Sequence, residues 1–309
     1  HPHLTVSKEA VVGLGDGVFK GNQTIEYFSV AHNDEFTTIG AEAFMNSSLR
    51  NVDLFDSVTT IGARAFAGCT QLEALTLPNS LTTIGEGALD GLTGLKKLVI
   101  QCDPAIIPAG VFANLPALSD VTVEFGAIPA HMFEGSGVTV LTLGAGVTEI
   151  GDSAFANTAL TSAEMQNVTA IGAGAFANTA LTTAEIQNVT AIGAGAFEGS
   201  ALERVRLNAA ASVGERAFAN TKLTKMVIPT AGSFPLSAVE GTSAELRLPA
   251  DATDEQLAAW NETLQRPWYD PMLREGEVSK FVKMPFEPTP AENFEFDPDT
   301  GLISAYIGT

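Results

Sequence analysis

The stretch from Asn167 to Leu202 reads NVTAIGAGAFANTALTTAEIQNVTAIGAGAFEGSAL, one phrase written twice, 21 residues apart. Duplication at so short a period constrains a chain strongly. A unit of this length cannot bury its own apolar face and must stack on copies of itself. Aligned on the apolar residue that closes the IGxxAF phrase, the series is Phe19, Phe44, Phe66, Leu89, Phe112, Phe133, Phe155, Phe176, Phe197, Phe218 and Val239. Eleven units at intervals of 21 to 25 residues cover roughly residues 10–250.

One unit, VTTIGARAFAGCTQLEALTLPNS, shows the pattern. Its end, LEALTLP, alternates apolar and polar and predicts a short strand. The Ala-Phe segment is too short for a standing helix and predicts a single helical turn. The small residues around it let the backbone pass close to its neighbour. Stacking sets Ile on Ile, Phe on Phe and Leu on Leu. Strands of successive coils then pair in parallel at about 4.8 Å, which makes eleven coils roughly 50 Å long.

The phrases VTTIGARAFAGCTQLEALTLPNS and LTTIGEGALDGLTGLKKLVI resemble the BspA-like type of leucine-rich repeat, VTxIGxxAFxxCxxLxxLxLP, over about 240 of the 309 residues. The resemblance implies an α/β repeat solenoid, a right-handed, curved leucine-rich-repeat stack. It also implies a bacterial (or protozoan) cell-surface protein, extracellular, that contacts host cells, matrix or other microbes without being an enzyme. The units after Phe133 depart from the pattern. They drop one residue, carry Ala163 or Ala184 where the strand's first inward Leu stands, and lose the Pro.

After Pro249 the pattern stops, which sets the solenoid at 1–250. Residues 251–266 predict an amphipathic C-terminal capping helix. Thr253 is its N-cap, acidic residues follow in the first turn, and Leu257, Trp260 and Leu264 share one face. Residues 267–293, rich in proline, read as a linker. Residues 294–309 predict a β-hairpin around Asp297-Pro298-Asp299-Thr300-Gly301, the start of a further repeat block. The chain is therefore expected to be a piece of a longer protein, cut at its N-terminus and continuing past Thr309.

The net charge is −20, with 16 basic against 36 acidic residues. That balance opposes nucleic acid and anionic membrane surfaces, which require clustered Lys and Arg. No apolar run is long enough for a transmembrane helix. The two cysteines, Cys69 and Cys102, are too few for a disulfide framework and read as free thiols, Cys69 the better buried.

No constellation for catalysis converges, and neither a cofactor nor a metal is expected. GxSxG is absent. Gly172-x-Gly174-x-x-Ala177 matches a dinucleotide fingerprint in form only, since its glycines recur as a feature of the repeat and no long helix follows. Asp297-x-Asp299 has its glycine misplaced for a calcium loop and lacks the terminal Glu. His1-Pro2-His3 lacks the amide proton that a copper site needs.

The informative surface is the outward side of the strands. Arg204, Arg206, Lys225 and Arg247 form a basic strip there, beside Glu164 and Glu185. It reads either as an ion-pair ladder, with Glu185 against Arg206, or as a docking patch for a protein partner such as a matrix or cell-surface protein. Aromatic residues, the usual platforms for sugars, are nearly absent from this face, where only Tyr27 stands. A second candidate is the cluster Trp260, Trp268 and Tyr269, either a plug on the solenoid end or a site for a sugar ring or partner chain. The rival functions are a spacer that projects another domain and a glycan-binding surface protein. A monomer is the expected oligomeric state.

Overall fold

The structure, a computed structural model, describes residues 3–6, 11–30, 33–264, 272–277, 294–297 and 302–305. It divides into two compact units, His1–Glu245 and Leu246–Thr309.

The first unit is a parallel β-solenoid whose coils present strands in two rows. The front row comprises the strands that the LxxLxLP pattern predicts. It begins with His3–Val6, Tyr27–Val30, Asn51–Asp53, Ala74–Leu77 and Lys97–Ile100. The side row comprises the Thr-Ile pairs before each glycine, such as Thr38–Ile39, Thr60–Ile61 and Thr83–Ile84. Equivalent residues of successive coils pair in register, for example Leu75 with Leu98 and Ile39 with Ile61. The core is a set of columns. Phe44, Phe66, Phe112, Phe133, Phe155, Phe176, Phe197 and Phe218 are all fully buried. From Phe133 to Phe218 their rings stack at 5.2 to 5.5 Å between centroids.

The segment around each Phe is not the helical turn that its sequence predicts. Ala65, Ala67 and Cys69 donate backward to Gly62, Arg64 and Phe66, closing successive tight turns. Between them, Arg64, Phe66 and Gly68 donate to Glu86, Ala88 and Asp90 of the next coil at 3.0, 2.9 and 2.8 Å. A helix would keep both sets of bonds to itself; here alternate amides join the coils. Two left-handed residues in each coil from Gly17–Gly21 to Arg216–Asn220 turn those amides outward. One column is always Gly or Asn, running Gly21, Asn46, Gly68, Gly91, Asn114, Gly135, Asn157, Asn178, Gly199, Asn220 and Gly241, all with positive φ. These are the residue types that adopt that conformation most readily. The glycine of the IG phrase has a different reason. A Cβ on Gly193 would lie 2.4 Å from the backbone N of Ala173 in the preceding coil.

The two rows merge in the middle of the stack. Most coils turn from the front row to the side row through Pro, Asn or Asp, and Leu81 N donates to Pro78 O at such a corner. TVEFGAIP and LTLGAGVTEI lack those residues at the corner. Asp120–Ile128 and Val140–Ile150 therefore run through it as single long strands, with register shifts on both sides of the Phe125–Gly126 pair. Just before them, the 3-10 turn Pro104–Ile106 takes the place of a side-row strand, capped by Asp103 Oδ1 on Ala105 N. The side row is thus interrupted once, while the front row continues through the pairing of Lys97 with Asp120.

In the second unit, the helix Asp254–Leu264 is closed at its start by a reciprocal pair: Gln256 N donates to Thr253 Oγ1 and Thr253 N to Gln256 Oε1. Leu257 and Trp260 are half-buried. Asn261 holds the backbone of Met272, and the strand Leu273–Arg274 pairs in parallel with Arg247 and Leu248. Arg274 is bonded to Ala252 O, Asp254 and Glu277. Phe294–Asp297 and Leu302–Ala305 form an antiparallel hairpin, with its turn outside the described residues.

Candidate interaction face

In the later coils the front row consists of Ser162–Glu164, Thr183–Glu185, Arg204–Arg206 and Lys225–Val227. Alternation sends Ala163, Ala184, Val205 and Met226 into the core. Ser162, Glu164, Thr183, Glu185, Arg204, Arg206 and Lys225 stay exposed. Val227 follows the inward set and is buried.

Register decides which side chains meet. Glu164 stands opposite Glu185, and Arg204 opposite Lys225. Neighbouring strands are about 4.8 Å apart, so these are close pairs of like charge. Elsewhere the chain does the reverse. Glu26, Arg50, Glu73 and Lys96 form a row of alternating sign, with Glu73 3.1 Å from Lys96. Lys97 meets Asp120 at 3.2 Å on this same face. Glu42 lies between Lys20 and Arg64, and the hydrogen bond and charge of Lys20 hold its carboxyl below the usual range. Arg216 bridges Glu198 and Glu240, and the hydrogen bond to Glu198 raises its pKa further. The fold thus gives opposite charges a way to pair across coils; on the face of residues 162–225 the Glu164–Glu185 and Arg204–Lys225 positions do not use it, while Glu185 and Arg206 stand level on neighbouring strands. Glu185 takes a hydrogen bond from Gln187 at 2.8 Å.

Arg247 lies on the strand Glu245–Leu248, the next strand of this sheet after Lys225–Val227. It belongs to the second unit, is half-buried, and donates to Glu277 O at 2.9 Å. Its guanidinium is committed to holding that short sheet. Trp260 is half-buried on the helix, and Trp268 and Tyr269 lie outside the described residues. Tyr27 on the front row is stacked by His3 at 4.7 Å.

Both thiols are fully buried, Cys102 as well as Cys69. Burial raises both pKa values, that of Cys102 to about 11. Gly172 and Gly174 serve the repeat: a Cβ on Gly172 would meet the preceding coil, and Gly174 is left-handed. Asp16, Glu42, Arg64 and Glu86 line a shallow surface depression whose central charges are the Lys20–Glu42–Arg64 row. Among the described residues no three His, Cys, Asp or Glu side chains converge as metal ligands, and no helix is long and apolar enough to cross a membrane.

One signal of charge segregation was available in the sequence: no Lys or Arg occurs between Lys97 and Arg204. The like-charge rows require the strand register as well.

Parallel coils of this length, with a Phe column and an IG corner, define a leucine-rich-repeat solenoid. A family model of the BspA type leucine rich repeat region, in six copies, matches residues 12–126 and 126–242, and the chain belongs to that family. A comparison with curated proteins returns no significant match. Among solved structures, the chain is similar to a leucine-rich repeat protein of T. pallidum at 21% identity, over 51% of this chain and 77% of the other, with a TM-score of 0.40. A leucine-rich cell surface protein of Faecalibacterium prausnitzii is 20% identical, over 84% and 90%, with a TM-score of 0.39. A leucine-rich repeat protein of Bacteroides ovatus is 17% identical, over 84% and 80%, with a TM-score of 0.42.

Proposed function

We propose that this chain is a non-enzymatic interaction module of an extracellular, cell-surface protein, and that it takes a protein partner on the front-row face of residues 162–225. The observation that carries this reading is the pairing of like with like, Glu164 with Glu185 and Arg204 with Lys225. Rows of this kind cost the fold stability. They make sense where a partner supplies the missing opposite charge. Membership of the BspA-type family supports the surface location.

The test is a binding screen of the full chain against purified matrix proteins and glycans, repeated with Arg204→Glu/Lys225→Glu. The reading expects at least one protein to bind, and the reversal to reduce that binding at least tenfold without lowering the melting temperature. Binding left intact by the reversal places the partner elsewhere and overturns the assignment of this face.

A further inference from the structure

The corner where the two rows merge carries a surface that the repeat does not explain. In the strand Asp120–Ile128, Val121 and Val123 form the inward set and are fully buried. Phe125 falls next in that set, yet it is 39% exposed, and burial resumes out of phase at Ile128. The register shift after Val123 turns Phe125 outward beside the exposed Glu124. On the neighbouring strand Phe125 stands opposite Gly146, in the run Gly144-Ala145-Gly146. A Cβ on Gly146 would lie 2.4 Å from Phe125 Cβ, so the aromatic stem itself requires glycine there. Nothing larger than a methyl group rises from that run, and no side chain of it can cover the ring.

Carboxylates surround this ring. Glu124 precedes it in the chain. Glu149 is level with Ala127, two residues on, which sets its Cα roughly 8 Å from that of Phe125. From the preceding coil, Asp103 Oδ1 approaches Gly126, 3.6 Å from where a Cβ would stand. All three acids are exposed. Among the described residues, Glu124 and Glu149 have no ion-pair partner. The surrounding sequence offers none either, since residues 98–203 contain ten acidic residues and no Lys or Arg.

We infer that this corner docks an arginine-bearing segment of a protein partner, on a surface separate from the face of residues 162–225. A guanidinium laid over an exposed aromatic ring is attracted by its π-face, and the carboxylates beside the ring supply the opposite charge. The ring alone would suit any apolar partner. The unopposed carboxylates select a cationic one and repel an acidic one. A second copy of this chain, with its net charge of −20, brings like charge to the corner and is the poorer occupant. The bare run Gly144-Ala145-Gly146 lets the backbone of the docked segment come close to the sheet. On that side the contact is made through side chains and not by strand addition, because Gly126 and Ile128 are already paired with Val147 and Ile150.

The experiment is a fluorescence-anisotropy titration of a labelled octa-arginine peptide with the full chain at physiological ionic strength. It is made with the wild type, with Phe125→Leu, with Glu124→Gln/Glu149→Gln, and with Asp34→Asn/Glu35→Gln, which removes two exposed carboxylates elsewhere on the solenoid. Circular dichroism confirms that each variant is folded. Binding should weaken about three- to fivefold in Phe125→Leu. It should weaken about fivefold in Glu124→Gln/Glu149→Gln and by less than about twofold in Asp34→Asn/Glu35→Gln. Equal losses in the two carboxylate variants would mean that binding follows net charge alone, and overturn the inference. So would a Phe125→Leu variant that binds like the wild type, or a wild type that does not bind the peptide. Sedimentation of the wild type and Phe125→Leu gives the remaining check: a wild type that self-associates where the variant does not would make a second copy the occupant, and the inference falls. None of these substitutions alters the face of residues 162–225, so the reading of that face is tested separately.

Discussion

The rings of Phe176 and Phe197 are stacked at 5.4 Å with 9° between their planes, both fully buried, 21 residues apart in sequence. Each Phe is the floor for the next and the ceiling for the last, so the column has no spare volume into which it can relax. Phe176→Ala should cost about 3–5 kcal/mol. Among the described residues, Phe19 is half-buried and stacks on a single ring, that of Phe44. Phe19→Ala should cost clearly less. Denaturant unfolding of both variants gives the comparison, and equal losses would contradict the column.

Glycine serves two purposes in each coil, and substitution separates them. Gly193→Ala puts a methyl group 2.4 Å from the Ala173 backbone N, which the coil spacing cannot accommodate. Gly199 is left-handed with φ 69°, in a column where other coils carry Asn. Gly199→Asn should therefore lower the melting temperature far less than Gly193→Ala, despite the larger side chain. Thermal denaturation by circular dichroism decides the order.

From Phe133 to Phe218 the position three residues after each Phe is a buried polar column. Ser136 Oγ donates to Phe133 O at 2.6 Å, and Thr158, Thr179 and Thr221 make the same bond to Phe155, Phe176 and Phe218. Ser200 Oγ, in the same column, is buried without a hydrogen-bond partner. Ser136→Ala should cost about 1 kcal/mol more than Ser200→Ala, which is expected to be neutral or stabilising. A Ser200→Ala variant as damaging as Ser136→Ala would show that Ser200 has found a partner.

The buried thiols give a pH prediction. The pKa of Cys102 is raised from 9.0 to about 11, chiefly by burial. The unfolded chain ionises first as pH rises, so the folded state's preference for the neutral thiol is fully present below pH 9 and is lost between about pH 9 and pH 11. Stability measured over that interval should fall less steeply in Cys102→Ala than in the wild type. Thiol reagents should leave both native cysteines unmodified until the chain unfolds.

The period, the parallel strands and the Phe column were legible because they depend on residue type repeated at fixed spacing. The turn segment was not. A run such as GARAFAG has helical composition, and only the pairing of alternate amides with the next coil, together with left-handed Arg64 and Gly68, excludes a helix. The long strand Val140–Ile150 shows a similar limit, since what matters there is the absence of Pro, Asn or Asp from a corner. On the candidate face, strand alternation correctly set Arg204, Arg206 and Lys225 outward. It could not show that Arg247 is held by the backbone of Glu277, a contact 30 residues away in a segment outside the repeat.

The claim on which the account turns is that the chain sets like charges together on this face for a partner and at the expense of its own stability. Lys225→Glu converts the Arg204–Lys225 row into an attractive pair of the kind the rest of the solenoid uses. The direct measurement is the melting temperature of that single variant at low ionic strength. The account predicts a value equal to or above that of the wild type. A lower value would mean that Lys225 stabilises the fold, and the face would then be part of the scaffold.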